Sequence, residues 1–164
     1  MARGFVSLTA AMALAAVVGC GGGGGPPVDR KDTVKLVRAV VRYESGVAAA
    51  LGLPDDFTAP KAGTPVTYNI TDRGTCKRVR DELATVKPGS ADPTAHDPLI
   101  GDVTVRTGWG RVIQLTWHGP HFTMPDGRAL RSPHLHALLA EHVREAVEKA
   151  PATRPARRSD DGPT

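Results

Sequence analysis

The chain has few aromatic residues, two cysteines and no apolar run long enough to span a membrane. Aromatic side chains make up 4% of its 164 residues. Its longest apolar stretch, 5–18, contains two polar residues and is shorter than the roughly 20 residues that a spanning helix needs. Four catalytic motifs are also missing: Gly-x-Ser-x-Gly, Gly-x-x-x-x-Gly-Lys, His-Glu-x-x-His and Cys-x-x-Cys. The sequence therefore carries no motif that argues for an enzyme.

The chain also lacks a large net positive charge. The formal net charge is +4, but Arg3 and a tail with three arginines and two aspartates account for half of it, which leaves +2 for residues 20–150. Nucleic-acid-binding domains are typically strongly basic. The sequence therefore predicts no nucleic-acid partner.

What the chain does have is an export signal at its start. A positive residue, Arg3, precedes the apolar stretch, and Val17-Val18-Gly19-Cys20 closes it. This order is typical of a secretory signal peptide. The last four residues resemble the lipobox of bacterial lipoproteins, and the resemblance covers the leader only. It implies that the Cys20 thiol is joined to a diacylglycerol and that the signal is cut just before it. The alternatives are an uncleaved anchor and an ordinary leader with an incidental thiol.

The remaining chain has room for one domain. We expect a lipoprotein signal peptide over 1–19, a lipidated cysteine with a Gly/Pro-rich linker over 20–28, one domain over 29–150 and a disordered tail over 151–164. Two acyl chains give stable attachment, which predicts a protein held at the extracytoplasmic face of the cell membrane. If Cys20 carries lipid, no internal disulfide is available, and we expect Cys76 to be a small buried core residue.

The first segment of the domain is predicted as a helix. Over 29–51, four apolar residues recur at helical spacing, and Gly52 and Pro54 follow as stop signals. The opposite side of that helix would carry a cationic stripe, formed by Lys31, Lys35, Arg38 and Arg42. Such a stripe is either a solvated helix face or a contact for anionic lipid headgroups.

Alternating and helical patterns divide the rest of the domain. They predict a strand over 66–70, a helix over 75–86, a hairpin turning at 107–110, strands over 122–124 and 128–130, and a last helix that begins at Ser132-Pro133. Each strand has one apolar face. The predicted fold class is therefore α+β, with an antiparallel sheet of about four strands and helices packed on one face.

Three features carry candidate chemistry. Five of the six histidines fall close together, namely His118, His121, His134, His136 and His142. They lack the i, i+4 spacing of a helical metal site, so no metal site is predicted, although His118 with His121 and His134 stays open. Glu44 falls on the apolar side of the predicted first helix, where it would need Arg106 or Arg111 as a partner. Trp109 at the hairpin tip either folds back over the sheet or contacts a partner, a glycan or a bilayer.

These observations favour a membrane-anchored lipoprotein that acts as a binding module through its sheet and hairpin loops. Its partner would be an unknown envelope protein or ligand, and no cofactor is predicted. Two alternatives stay open: a small metal-dependent or histidine-based hydrolase that uses His118, His121 and Glu44, and a phage- or plasmid-type surface exclusion lipoprotein.

Overall fold

The computed structural model describes residues 25–60, 64–89 and 97–149. The predicted signal peptide, Cys20 and the predicted tail lie outside these residues. The described elements, in chain order, are β1 Val34–Val41, α1 Val47–Ala50, β2 Val66–Ile70, α2 Arg73–Thr85, β3 Leu99–Thr107, β4 Val112–His118, β5 His121–Thr123, β6 Ala129–Arg131 and α3 Pro133–Lys149.

The six described strands form one antiparallel sheet in the order β2-β1-β3-β4-β5-β6. β1 lies between β2 and β3, where Val37 is the register partner of both Ile70 and Val105. From β3 to β6 the strands follow one another as a meander, as short connections favour. The antiparallel α+β class is confirmed, but the sheet has six strands rather than about four.

The predicted helix over 29–51 is wrong. Val34–Val41 within it form the strand β1, and only the single turn α1 is helical. Buried residues alternate with exposed ones at Val37, Ala39 and Val41. Because this segment is rich in β-branched valine, which favours a pleated surface, the strand forms even though the apolar spacing also fits a helix.

Because the predicted helix does not form, the four residues of the cationic stripe take different positions. Lys31 lies in the turn before β1, and Lys35 lies at a register irregularity between Val34 and Leu36. Arg38 lies on β1 and Arg42 directly follows its last residue, and an even spacing along extended chain places both on the same side. The four basic side chains therefore do not form one helix face.

Helices α2 and α3 contact each other, and α2 contacts β1 while α3 contacts β2. Both helices bury apolar side chains: Cys76, Val79 and Leu83 from α2, and Leu135, Leu139, Ala140 and Val143 from α3. From the sheet, Ile113, Leu115 and Trp117 belong to the same core, as alternation along β4 predicts. Cys76 is a free, buried thiol, which confirms its expected place in the core.

The core reaches back to the start of the described chain. Val28 is fully buried within it, six residues before β1. Within the described residues, none of the helices combines the length and the apolar character that crossing a membrane requires.

Candidate functional site

The face of the sheet opposite the main core, here called the open face, carries polar and charged side chains. It carries Arg38 and Val40 on β1 and Arg42 directly after the strand, and these alternate with the buried residues of the core face. Across the ladder, Arg38 is the register partner of Thr104 on β3. Antiparallel sheets commonly leave one face to solvent, and Arg38, Thr67 and Gln114 are exposed on this one.

The centre of the open face is a cleft of about 310 Å³. Its side chains come from β3, β4, β5 and the turn after β5, and they include Asp102, Thr104, Gln114, Thr116, Thr123 and Pro125. Hydroxyl, amide and carboxylate groups dominate this set, and they offer hydrogen-bond donors as well as acceptors. The cleft therefore suits a polar ligand.

Basic side chains flank the cleft. Arg42 Nη2 lies 2.8 Å from Asp102 Oδ2, and both side chains are about half exposed. Arg38 donates from Nε to Asn69 Oδ1 at 3.4 Å. Among the described residues, neither Arg38 nor Arg106 takes part in an ion pair. The open face therefore keeps a positive character that Asp102 offsets only at Arg42.

Two of the five candidate histidines come together at the end of β4. His118 and His121 are register partners across the β4–β5 turn. His121 is 9% exposed, and its Nδ1 lies 2.6 Å from Asp97 Oδ2. This short pair fixes the orientation of the His121 ring.

The other histidines lie elsewhere. His136 Nδ1 accepts a 3.1 Å hydrogen bond from Trp117 Nε1, and burial lowers the pKa of His136. His134 is exposed and lines a separate cleft between α2 and α3. The described part of the chain contains no group of three or more His, Cys, Asp or Glu residues placed to hold a metal ion.

The prediction for Glu44 is wrong. The residue lies outside any helix and is exposed. Its backbone N–H donates to the Arg42 carbonyl at 2.8 Å, but its side chain makes no ion pair with Arg106, Arg111 or another described residue. Because the helix that would have buried Glu44 does not form, the carboxylate stays in solvent.

Trp109 stands clear of the sheet at the tip of the β3–β4 hairpin. Its side chain is 85% exposed, so of the two alternatives for this residue the one that folds it back over the sheet is wrong. Val112, at the start of β4, is 48% exposed and is the other large hydrophobic residue that the described chain leaves in solvent.

Two of the polar contacts in the structure are not predicted by any pattern in the sequence. Asp97 follows a stretch without periodicity, so its pairing with His121 depends on how the chain enters β3. The Tyr43 and Tyr68 hydroxyls hydrogen-bond to each other where β1 and β2 pair, and burial raises the pKa of both phenols. Tyrosines 25 residues apart carry no pattern that predicts such a contact.

No protein-family model matches this chain, and neither a curated protein nor a solved structure does.

Proposed function

We propose that this protein is a lipid-anchored, extracytoplasmic binding protein, and that the open face of its sheet receives a polar partner of acidic character. The anchor is proposed at Cys20, on the strength of the lipobox-like leader. Binding is proposed at the open face, where a hydrogen-bonding cleft adjoins Arg38 and Arg106.

The observation that carries the binding proposal is the position of these two arginines. Arg38 pairs in register with Thr104, and Arg106 is two residues further along β3 on the same face. Diagonal neighbours in a sheet lie about 7–8 Å apart, within reach of one extended acidic segment. Because neither guanidinium is paired with a carboxylate among the described residues, both are available to a carboxylate or phosphate, which arginine binds well.

Mass spectrometry of the native protein tests the anchor. We expect a mature product that begins at Cys20 and carries the mass of a diacylglyceryl group. A product that retains Met1, or a new terminus with an unmodified thiol, would contradict this part of the proposal.

Site-specific photocrosslinking in intact cells tests the binding face. A photoreactive residue at Gln114, which is exposed beside the cleft, should give discrete crosslinked products. The same residue at Ala137, exposed on α3, is the matched position on the helical side and should give none of them.

Charge reversal shows whether those products depend on the arginines. With the probe at Gln114, Arg38→Glu with Arg106→Glu should abolish the products, because like charges then face an acidic partner. Arg78→Glu, an exposed arginine on α2, is the control and should leave them unchanged. Products of equal yield from both faces, or products that survive the double charge reversal, would refute binding at the open face.

A further inference from the structure

We infer that the tip of the β3–β4 hairpin is a second membrane contact, with Trp109 placed in the headgroup region of the bilayer that holds the Cys20 lipid. This inference rests on the proposed anchoring. It adds to that proposal an orientation of the domain, which the anchor alone does not set.

The turn presents Trp109 in a fixed geometry. The Gly110 N–H donates to the Thr107 carbonyl at 3.1 Å, and the Thr107 N–H donates to the Arg111 carbonyl at 2.9 Å. Gly110 has φ +79°, the left-handed conformation that closes a three-residue hairpin loop. A further bond at 2.6 Å, from the Gly108 N–H to the Thr33 carbonyl, ties the turn to the chain before β1. These hydrogen bonds hold the turn in one conformation, so the exposed indole is presented in a defined position.

The path of the chain places this tip at the membrane-facing end of the domain. Pro26, Val28 and Arg30 line one cavity with Arg111, the residue that follows the turn. Cys20 is only six residues before Pro26. Six residues span about 20 Å at full extension, so the lipid attachment point is within that distance of this end.

The charge around the tip is complementary to anionic lipids. Across 29–35 and 106–111 there are five basic residues, Arg30, Lys31, Lys35, Arg106 and Arg111, against the two acidic residues Asp29 and Asp32. The Lys35 stem lies within 3.4 Å of where a side chain at Gly108 would begin. Basic residues near an anionic surface attract it, and tryptophan is enriched at membrane interfaces because its ring is amphipathic. Thus Lys31 and Lys35 are the part of the predicted cationic stripe that would meet headgroups, whereas Arg38 lies further along β1 and Arg42 follows its far end.

Tryptophan fluorescence of the full lipidated protein tests the contact. The protein is reconstituted into vesicles of phosphatidylglycerol and phosphatidylcholine whose acyl chains carry bromine, a contact quencher. Trp109 should be quenched and its emission should shift to shorter wavelength, whereas Trp117 is fully buried in the core and out of reach of lipid. Trp109→Phe should therefore remove the quenched component and leave the Trp117 emission unchanged.

A matched control moves the indole to the other end of the domain. Asp55→Trp in the Trp109→Phe background keeps two tryptophans but places one in the exposed loop after α1, beyond the end of β1 that lies away from the hairpin tip. That tryptophan should escape quenching in the same vesicles.

The outcomes separate the two proposals. If the vesicle-bound protein carries lipid on Cys20 but brominated chains leave Trp109 unquenched, the membrane contact is wrong and the anchor stands. The membrane contact is equally wrong if Asp55→Trp is quenched as strongly as Trp109, or if Trp109 is shielded only when another envelope protein is added. If mass spectrometry finds no lipid on Cys20, the proposed anchoring fails and this inference fails with it.

Discussion

Single residues decide how the helices are attached to the sheet, and His136 on α3 is the clearest case. The Trp117 indole N–H donates to His136 Nδ1 at 3.1 Å and to the Gly119 carbonyl at 2.9 Å, and the His136 and Trp117 rings meet edge to face with their centroids 5.7 Å apart. This one side chain therefore links α3 to β4. The neutral imidazole suits the site, because only the neutral ring has a nitrogen that can accept from an indole N–H.

We predict that His136 makes the free energy of unfolding fall in mildly acidic solution. Burial lowers the pKa of His136 from its usual 6.5 in the folded protein, although the charge of Asp97 opposes the shift. The unfolded chain therefore takes up this proton first, and the stability contribution, complete above about pH 7, is lost as the pH falls from about 6.5 towards the folded value. Urea unfolding of His136→Asn, which keeps an acceptor for Trp117, should show a smaller loss between about pH 7.5 and 5.5 than the natural chain.

The same variant should also be less stable at about pH 7.5, by about 1 kcal/mol, because the edge-to-face contact of the His136 ring with Trp117 is lost. His134→Asn is the control, since His134 is exposed and should leave the pH dependence unchanged. An identical pH dependence in His136→Asn and the natural chain would contradict the prediction.

Position 101 on β3 requires glycine because the backbone of β1 passes close to it. A Cβ at this position would lie 1.8 Å from the Val40 carbonyl oxygen, a backbone atom that cannot move without breaking the ladder. We predict that Gly101→Ala lowers the free energy of unfolding by about 3 kcal/mol or more. Gly127→Ala should cost about 1–2 kcal/mol, because Gly127 has φ +83° but nothing within 4 Å of the added atom. Chemical denaturation compares the two, and equal losses would show that β1 and β3 pair less tightly than their register indicates.

At the scale of elements, sequence patterns predicted the elements from β2 onwards but neither β1 nor α1 as a separate turn. The strand over 66–70, the helix beginning near Thr75, the β3–β4 hairpin and the last helix are confirmed. β1 was missed because its apolar residues fit both periods: Val37 and Val40 are three apart, while Val37, Ala39 and Val41 alternate. The segment becomes a strand rather than a helix because β2 and β3 supply hydrogen bonds along both of its edges. Both partner strands are far from β1 in sequence, so a local pattern does not reveal them.

Ser132 shows how two helices share one polar contact. Its Oγ accepts from the Leu135 N–H at 3.1 Å, which caps α3, and it donates to Glu82 Oε2 on α2 at 3.3 Å. The residue is 3% exposed, so water cannot replace these bonds. We predict that Ser132→Ala lowers the free energy of unfolding by about 1–2 kcal/mol.

Urea denaturation with the conservative variant completes that test. Ser132→Thr keeps the hydroxyl and should retain most of the stability. Glu82→Gln keeps an oxygen acceptor for Ser132 and should have a small effect. A Ser132→Ala protein as stable as the natural chain would mean that the hydroxyl neither caps α3 nor joins it to α2.

At the scale of the whole molecule, less of the candidate site than of the fold could be predicted. The sequence placed Trp109 at a hairpin tip but did not decide its exposure, because a tip residue can fold back or stand free depending on its neighbours. Arg38 and Arg42 were expected to share a side, and they do so with Arg38 on β1 and Arg42 directly after it. That Arg106 lies beside Arg38 follows only from the pairing of β1 with β3, a contact between residues about seventy positions apart.

The proposed anchor makes the location of the whole molecule depend on one sulfur atom. Two acyl chains bury enough methylene groups to hold a protein stably, whereas the basic tip and one exposed indole give only weak, reversible binding. We therefore predict that Cys20→Ser moves the protein from the membrane fraction to the soluble fraction, measured by immunoblotting after cell fractionation. Trp109→Phe should leave the fractionation unchanged, because the lipid alone suffices. If Cys20→Ser still sediments with membranes and is released only by detergent, something other than the lipid holds the protein, and the anchor at Cys20 is wrong.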